Sequence, residues 1–171
     1  KAMKEIGKIL QTKGEVIPST LKDVRLMAKL ENGKTVVGEV NIDVPKHNGN
    51  LKIKEAWLEP SCKANPRAIE AIKKADLIVI GPGDLYSSVI PNFLASGMKK
   101  ALQQSKAKKV YVCNIMTKHG ETTGFKAQDF VAVLEQYIGE GVLSHIIVND
   151  KKPSEERIRK YEKAHAHFVE Y

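Results

Sequence analysis

The loop Gly81-Pro82-Gly83-Asp84 is the part of the sequence with the clearest chemical character. It follows the apolar run 77–80, whose lack of alternation is typical of a parallel strand covered on both faces. A helix beginning at Ser87 or Ser88 is expected next, and the free N–H groups and positive dipole end of its first turn would face the loop. Because this geometry favours an anion, the sequence predicts binding of a phosphorylated small molecule.

Two further strand-like runs end in polar residues. The run 109–113 precedes Asn114 and Thr117, and the run 145–148 precedes the polar pair 149–150. In an open α/β sheet, ligands bind beyond the carboxyl ends of the strands, so we expect one crevice. The residues predicted to bind the nucleotide or phosphate are Gly81, Pro82, Gly83, Asp84, Ser87, Ser88, Asn92, Asn114, Thr117, Glu121 and Thr122.

Four of these residues also have a purely structural interpretation. Gly81 and Gly83 either let backbone N–H groups approach a phosphate or simply allow a tight turn. Asp84 would repel a phosphate, so it either meets a ribose hydroxyl, a base N–H or a cation, or caps its own turn. Asn114 either contacts a sugar or base edge or forms an Asx turn.

Other arrangements of reactive side chains have weaker support. Ser88, His119 and Asp150 could form a hydrolase triad, but no Gly-x-Ser-x-Gly elbow surrounds the serine. His165 and His167 would share one face of a strand, yet a third metal ligand is not close in sequence. We therefore predict neither a hydrolase nor a metal site, and the catalytic residues stay unassigned.

Composition and charge narrow the function further. The chain has 171 residues, 42% of them hydrophobic, which suits one domain, and no apolar run approaches the roughly 20 residues of a membrane span. Its two cysteines, Cys62 and Cys113, do not suggest a disulfide framework, and we expect a cytoplasmic protein with Cys113 as a small buried residue. Because the chain opens at Lys1 within an amphipathic pattern, we expect a fragment.

The net charge of +8 suggests nucleic acid as a partner, but the pattern does not. The basic residues lie where helices meet water, the aromatic content is only 6%, and no recognised nucleic-acid-binding motif is present. A nucleic-acid-binding module is the weakest of the functions considered. The surplus charge would help to attract an anionic ligand.

The first part of the chain, residues 14–60, is expected to form an antiparallel layer. Asn32-Gly33 lies between the predicted strands 21–30 and 35–42 and is a strong hairpin signal. A third strand is predicted at 51–58. An amphipathic helix, which is predicted to end at Gly14, precedes this layer; its apolar residues are Met3, Ile6, Ile9 and Leu10.

Residues 65–171 alternate helix and strand patterns, which indicates an α/β fold with a mostly parallel sheet. Asn65 and Pro66 begin one helix. The helix after the glycine loop is predicted to run without a break, with Leu94, Met98, Ala101 and Leu102 on its inner face. Further helices are predicted at 127–138 and after Ser154, and a final strand at 166–171.

The segments 76–92, 108–117 and 120–122 resemble the gluconeogenesis factor family, which is similar to the CofD-like 2-phospho-L-lactate transferases. The resemblance implies a Rossmann-like, three-layer α/β core. It implies a single CofD-like domain over residues 1–171 that is incomplete, with a strand and phosphate loop before Lys1 and further residues after Tyr171. If so, the exposed sheet surface would make the chain self-associate as a homo-oligomer.

The resemblance also implies a function. It suggests a protein that binds a nucleoside diphosphate or a nucleotide sugar such as a UDP-sugar, and that supports cell-wall synthesis and cell shape during gluconeogenic growth. This role is regulatory rather than enzymatic. The alternative is a transferase that moves a phospholactyl-type group from a nucleotide donor to an acceptor alcohol, with a divalent cation at Asp84.

Overall fold

The computed structural model describes residues 7, 9 and 11–171. It contains two three-stranded sheets, one antiparallel and one parallel, whose buried side chains pack into a shared core. The predicted α/β class is therefore confirmed. Most of the predicted opening helix, with Met3, Ile6 and Leu10, lies outside the described residues. No helix in the described part of the chain is both long and apolar enough to cross a bilayer.

The antiparallel sheet comprises β1 (Arg25–Leu30), β2 (Thr35–Val37) and β3 (Ile53–Glu59), in the order β2-β1-β3. The predicted hairpin is present, because Gly33 adopts a φ of 84° and its N–H donates to the carbonyl of Leu30 at 2.9 Å. Alternate residues of β1 face the shared core; these are Leu26, Ala28 and Leu30. These alternate residues put one face of the sheet against the shared core, and Met27 on the other face is buried as well.

The predicted strand 35–42 is too long, because a short helix replaces its second half. Gly38 has a φ of 89°, which ends β2 at Val37, and helix α1 spans Glu39–Asp43. The side chain of Asn41 donates to the carbonyl of Val37 at 2.8 Å, and Ile42 is buried. Glycine tolerates a positive φ that a strand cannot use, so the chain turns here and carries Asp43 toward the second sheet.

The parallel sheet comprises β4 (Leu77–Ile80), β5 (Lys108–Val112) and β6 (His145–Ile147), in the order β4-β5-β6. Helix α2 (Pro66–Lys74) begins as predicted, with the Asn65 side chain accepting a hydrogen bond from the N–H of Arg67. Because the three strands follow one another in sequence and space, their carboxyl ends share one edge, but strand order does not reverse among them.

The segment after the glycine loop is not the continuous helix that the sequence predicts. It forms a π-helical turn at Leu85–Val89, a 3-10 turn at Ile90–Phe93 and then helix α3 at Met98–Gln104. Pro91 lacks an N–H group, and Gly97 adopts a φ of 99°, so the two residues interrupt the helical hydrogen bonds.

The remaining helices match the prediction. Helix α4 spans Ala127–Ile138, and α5 spans Glu155–Glu162 after Ser154. The predicted final strand at 166–171 is reduced to one antiparallel bridge between Phe168 and Met116. Its backbone is nonetheless held, because Val169 N–H donates to the carbonyl of Ile115 at 2.9 Å.

One face of the parallel sheet is exposed, contrary to the prediction from its unbroken apolar run. Leu77, Val79 and Ile147 are 54%, 57% and 54% exposed, whereas Ile80 and Tyr111 on the opposite face are buried. Helices α3 and α4 pack on the buried face, and within the described residues no element covers the other. The apolar run therefore predicted the strand correctly, but it did not predict that one face of the strand is exposed.

Candidate functional site

A cavity of about 720 Å³ lies at the carboxyl ends of β4 and β5. Its volume is within the range of about 300–1,000 Å³ that is typical of small-molecule sites. The end of α1 and the residues around the end of α5 complete its walls. The predicted crevice joined three strand ends, but this cavity is lined from the ends of β4 and β5 and not from the pair 149–150 that follows β6. Its lining includes Asp43, Pro82, Asp84, Val112, Asn114, Ile115, Met116, Thr117, Lys118, His119 and Tyr161.

The glycine loop makes a close turn against β5. Gly81 has a φ of 73°, and a side-chain carbon placed on it would lie 3.0 Å from the carbonyl oxygen of Val112. Gly83 does not have a positive φ, and its N–H donates to Asn114 Oδ1 at 3.2 Å. Of the two glycines that the sequence predicted to provide backbone freedom, Gly81 requires it, while the N–H of Gly83 connects the ends of β4 and β5.

The N–H groups expected to receive a phosphate are paired inside the protein. Tyr86 and Ser87 donate their backbone N–H groups to Glu121 Oε2 at 2.7 and 3.0 Å, and Ser87 Oγ donates to Glu121 Oε1 at 2.6 Å. We call this set, Tyr86, Ser87 and Glu121, the carboxylate clamp. An anion at the start of the π-helical turn would have to displace Glu121, which is only 3% exposed.

The carboxylate clamp also determines the electrostatics of Glu121. Burial raises the pKa of this carboxyl group above its ordinary value, and the charge of Asp84 acts in the same direction. The three hydrogen bonds from Ser87 and Tyr86 oppose that rise without cancelling it.

Three charged side chains from three segments meet at the cavity wall, and we call them the charged triplet: Asp43, Asp84 and Lys118. Lys118 Nζ lies 2.8 Å from Asp43 Oδ1 and 3.4 Å from Asp84 Oδ2. Partial burial works to lower the pKa of Lys118, but the bond to Asp43 and the charges of Asp84 and Asp43 outweigh it, so the pKa is raised. The sequence identified Asp84 but missed Asp43 and Lys118.

Of the polar residues after β5, Asn114 and Thr117 line the cavity, whereas Thr122 does not. Asn114 lines the cavity and is partly exposed. Thr117 is buried, and its Oγ1 accepts a hydrogen bond from the N–H of His167 at 2.8 Å. Thr122 is also buried, and its Oγ1 accepts from the N–H of Lys118 at 2.8 Å. Thr117 and Thr122 thus hold the backbone that presents Lys118.

Ser88 and Asn92 lie outside the cavity lining. Both are exposed, and Asn92 Nδ2 donates to the carbonyl of Ser88 at 2.8 Å. Asp150 does not line the cavity either, although His119 does. The side chains of Ser88 and Asn92 lie on the outer side of the helical turns. Their contact with a ligand stays a prediction.

His119 lines the far wall of the cavity and packs against His165. The ring centroids of His119 and His165 are 4.9 Å apart, and the His119 ring fills the space that a side chain at Gly49 would need. Burial lowers the pKa of His119, and the nearby His165 and His47 lower it further. His165 has a φ of 54° just beyond α5 and is not in a strand, so its predicted pairing with His167 on one strand face is wrong.

The apolar part of the cavity could accommodate a ring. Val112, Ile115 and Met116 line it together with Tyr161 from α5. Ile115 and Tyr161 are each 48% exposed, so a ligand could cover apolar area on both. The cavity therefore offers a charged end at the charged triplet and an apolar end at Tyr161.

A second concavity, of about 810 Å³, lies beside the start of α2, but it offers less chemistry. Three of its polar side chains are paired within the protein: Thr20 Oγ1 donates to the carbonyl of Lys63, Lys22 Nζ to the carbonyl of Ser61, and Asn65 Nδ2 to the carbonyl of Pro18. We therefore take the cavity at the strand ends as the candidate functional site.

Comparison with known proteins is consistent over the whole chain. The family model described as 2-phospho-L-lactate transferase CofD matches residues 1–171. A protein from Thermotoga maritima is 44% identical over 169 residues, which are 99% of this chain and 52% of that protein. The gluconeogenesis factor of Bacillus subtilis is 39% identical over 171 residues, covering 99% of this chain and 53% of that protein.

A solved structure agrees with these relatives. The crystal structure of a UPF0052 family member from Bacillus halodurans superposes with a TM-score of 0.90 at 39% identity. The match covers 98% of this chain and 53% of that one. The chain therefore spans about half the length of the relatives that it matches.

Proposed function

Because this chain belongs to the 2-phospho-L-lactate transferase CofD family, we propose that it binds a phosphorylated small molecule of the nucleotide type in the cavity at the strand ends. The preferred class is a nucleoside diphosphate or a nucleotide sugar, such as a UDP-sugar. The observation that supports this proposal most directly is the cavity of about 720 Å³, with its charged triplet at one end and its apolar residues at the other.

The charges of the cavity constrain how such a ligand would lie. Asp43 and Asp84 carry two negative charges against the single positive charge of Lys118. A phosphate is disfavoured beside this net negative charge, whereas sugar hydroxyls can donate to the carboxylates. We therefore expect the hydroxylated part of the ligand at the charged triplet, next to Asn114, and a ring against Ile115 and Tyr161.

For the whole protein we propose a regulatory, cytoplasmic role as a gluconeogenesis factor. The description of the Bacillus subtilis relative supports this role. From the family resemblance we further expect that the role concerns cell-wall synthesis and cell shape during growth on gluconeogenic carbon sources. Ligand occupancy of the cavity would then report nucleotide-sugar supply to that process.

The description of the family model favours a second function, a transferase reaction. Here a phospholactyl-type group would pass from a nucleotide donor to an acceptor alcohol, and the nucleotide leaving group would be released. Incubating the full-length protein with such a donor and alcohol, and measuring nucleotide release, separates the two functions. The regulatory function predicts release no faster than in the absence of protein.

Calorimetric titration of the full-length protein with UDP, GDP and a UDP-sugar tests the binding itself. We expect saturable binding of at least one of them, weakened at least tenfold by Asp84→Asn, because the amide loses one acceptor for ligand hydroxyls. Glu70→Gln is the matched control, since the exposed Glu70 pairs with Lys74 on the surface of α2, away from the cavity. Absence of binding, or equal losses in the two variants, would contradict the proposal.

A further inference from the structure

The charged triplet has the geometry of two carboxylates sharing one cation. Asp43 ends α1, Asp84 follows β4 and Lys118 follows β5, so three separate segments converge on one point. Their side chains are 31%, 33% and 35% exposed. The ammonium group lies between the two carboxylates, 2.8 Å from Asp43 and 3.4 Å from Asp84.

A third carboxylate lies close to this pair. Oxygen atoms of Asp43, Asp84 and Glu121 all lie within 4.8 Å of one another, and clustered carboxylate oxygens are the ligands that Mg²⁺ and Ca²⁺ prefer. The geometry alone would therefore favour a divalent ion. Two observations argue against one here.

The first is that Glu121 is already coordinated by protein donors. Both of its oxygens accept hydrogen bonds within the carboxylate clamp, at 2.6 to 3.0 Å. A metal that took Glu121 as a ligand would compete with these bonds. Displacing them would leave the buried N–H groups of Tyr86 and Ser87 without an acceptor, which is unfavourable.

The second observation is the ammonium itself. Lys118 occupies the space between the two remaining carboxylates, and a divalent ion placed there would be repelled by its charge. An ammonium group has three N–H donors. Among the described residues, Asp43 and Asp84 are the two carboxylates within ion-pair distance of the ammonium, so one donor stays available for a ligand oxygen in the cavity.

We infer that Lys118 is the built-in cation of this cavity: it takes the place between Asp43 and Asp84 that a divalent ion would otherwise occupy, so that the site binds its ligand without a divalent metal. The inference rests on the proposed function for the identity of the ligand. Its prediction about metal binding does not depend on any nucleotide. On this inference, Lys118 makes the site specific for a ligand that carries no bound divalent metal ion.

The test measures Mn²⁺ binding to the full-length protein by electron paramagnetic resonance, without nucleotide. Lys118→Met keeps the length of the side chain and removes its charge, and it should bind one Mn²⁺ at least tenfold more tightly than the wild type. The gain should disappear in the double variant Lys118→Met/Asp84→Asn. Lys126→Met is the matched control, because Lys126 pairs with exposed Glu170 at 3.4 Å, and it should behave as the wild type does.

Two results would overturn the inference. One is wild-type Mn²⁺ binding that Asp84→Asn abolishes; the other is no gain of Mn²⁺ affinity in Lys118→Met. If circular dichroism shows that Lys118→Met is unfolded, Lys118→Gln decides in its place by the same criteria.

A second arm titrates the wild type with the nucleotide that binds best, with and without EDTA. We expect affinities within twofold of each other, and a loss above tenfold in EDTA would overturn metal independence. Failure of the proposed function is recognised separately, as the absence of nucleotide binding in every titration, while the Mn²⁺ data still decide the role of Lys118.

Discussion

Glu121 and Asp84 are neighbouring carboxylates with opposite surroundings. Glu121 is 3% exposed and accepts three hydrogen bonds from Tyr86 and Ser87. The Asp84 side chain is 33% exposed, and its partner is the flexible ammonium of Lys118 at 3.4 Å. Both residues were predicted from the sequence to contact a ligand.

The difference between their surroundings distinguishes a carboxylate that stabilises the fold from one that is available to a ligand. A buried carboxylate whose oxygens are all paired holds the chain in place, and its removal leaves orphaned donors. A half-exposed carboxylate at a cavity wall retains acceptor capacity and loses little when it exchanges one partner for another. We therefore propose that the carboxylate clamp contributes to stability and the charged triplet to ligand binding, and the following predictions test that division.

The largest effect is expected from Glu121→Ala. The substitution leaves two N–H groups and one hydroxyl of the carboxylate clamp buried without an acceptor, and we expect the free energy of unfolding to fall by about 3 kcal/mol or more. Urea denaturation measures this fall. Glu170→Ala, which removes an exposed carboxylate paired with Lys126, is the control and should change little. Equal falls in the free energy of unfolding in the two variants would contradict a structural role for the carboxylate clamp.

An intermediate effect is expected from the histidines at the far wall. The pKa of His119 is lowered from 6.5 in the folded chain, so below about pH 6.5 the unfolded state takes up the proton more readily. Stability should therefore fall as the pH decreases from 6.5 toward the folded pKa. The raised pKa of Glu121 has the opposite sign, since it lowers stability as the pH rises from 4.5.

Thermal unfolding between pH 5 and pH 7.5 checks this sign. In His119→Gln, the melting temperature should fall less on acidification than in the wild type. In His145→Gln, which changes an exposed position of β6, it should fall as much as in the wild type. A profile that is identical in the wild type and in His119→Gln would show that the His119–His165 contact does not couple protonation to folding.

The smallest effect on stability is expected from Asp84→Asn. Partly exposed ion pairs contribute about 0–1 kcal/mol, and the amide keeps the shape of the side chain. The melting temperature should therefore change little even though nucleotide affinity falls, and comparing the two measurements sharpens the contrast with Glu121. A stability loss as large as that of Glu121→Ala would place Asp84 in the structural class instead.

Elements with strong local signals were predicted well. Helix α4 has the predicted bounds, Ala127–Ile138, because its apolar residues repeat at helical spacing and Gly139, with a φ of 110°, ends it. The start of α2 and the hairpin at Asn32-Gly33 were equally clear, since an Asn cap and an Asn-Gly turn act within a few residues.

Elements whose conformation depends on tertiary packing were predicted less well. The helix predicted after the glycine loop is divided, and its π-helical turn is bonded to Glu121, more than 30 residues away. The predicted strand 35–42 turns into α1 at Gly38, which the alternation of apolar residues did not indicate. The exposure of Leu77 and Val79 could not be inferred from their own apolar run.

By itself, the sequence determined the three strands of the parallel sheet, the helices α2, α4 and α5 and the turn at Asn32-Gly33, because these depend on contacts between neighbours in the chain. Only the tertiary structure decided that Glu121 is paired inside the protein while Asp84 meets Lys118 and Asp43 at a cavity. Those partners are brought together by strand order and by the turn at Gly38, and the free energy of a charge depends on what surrounds it after folding.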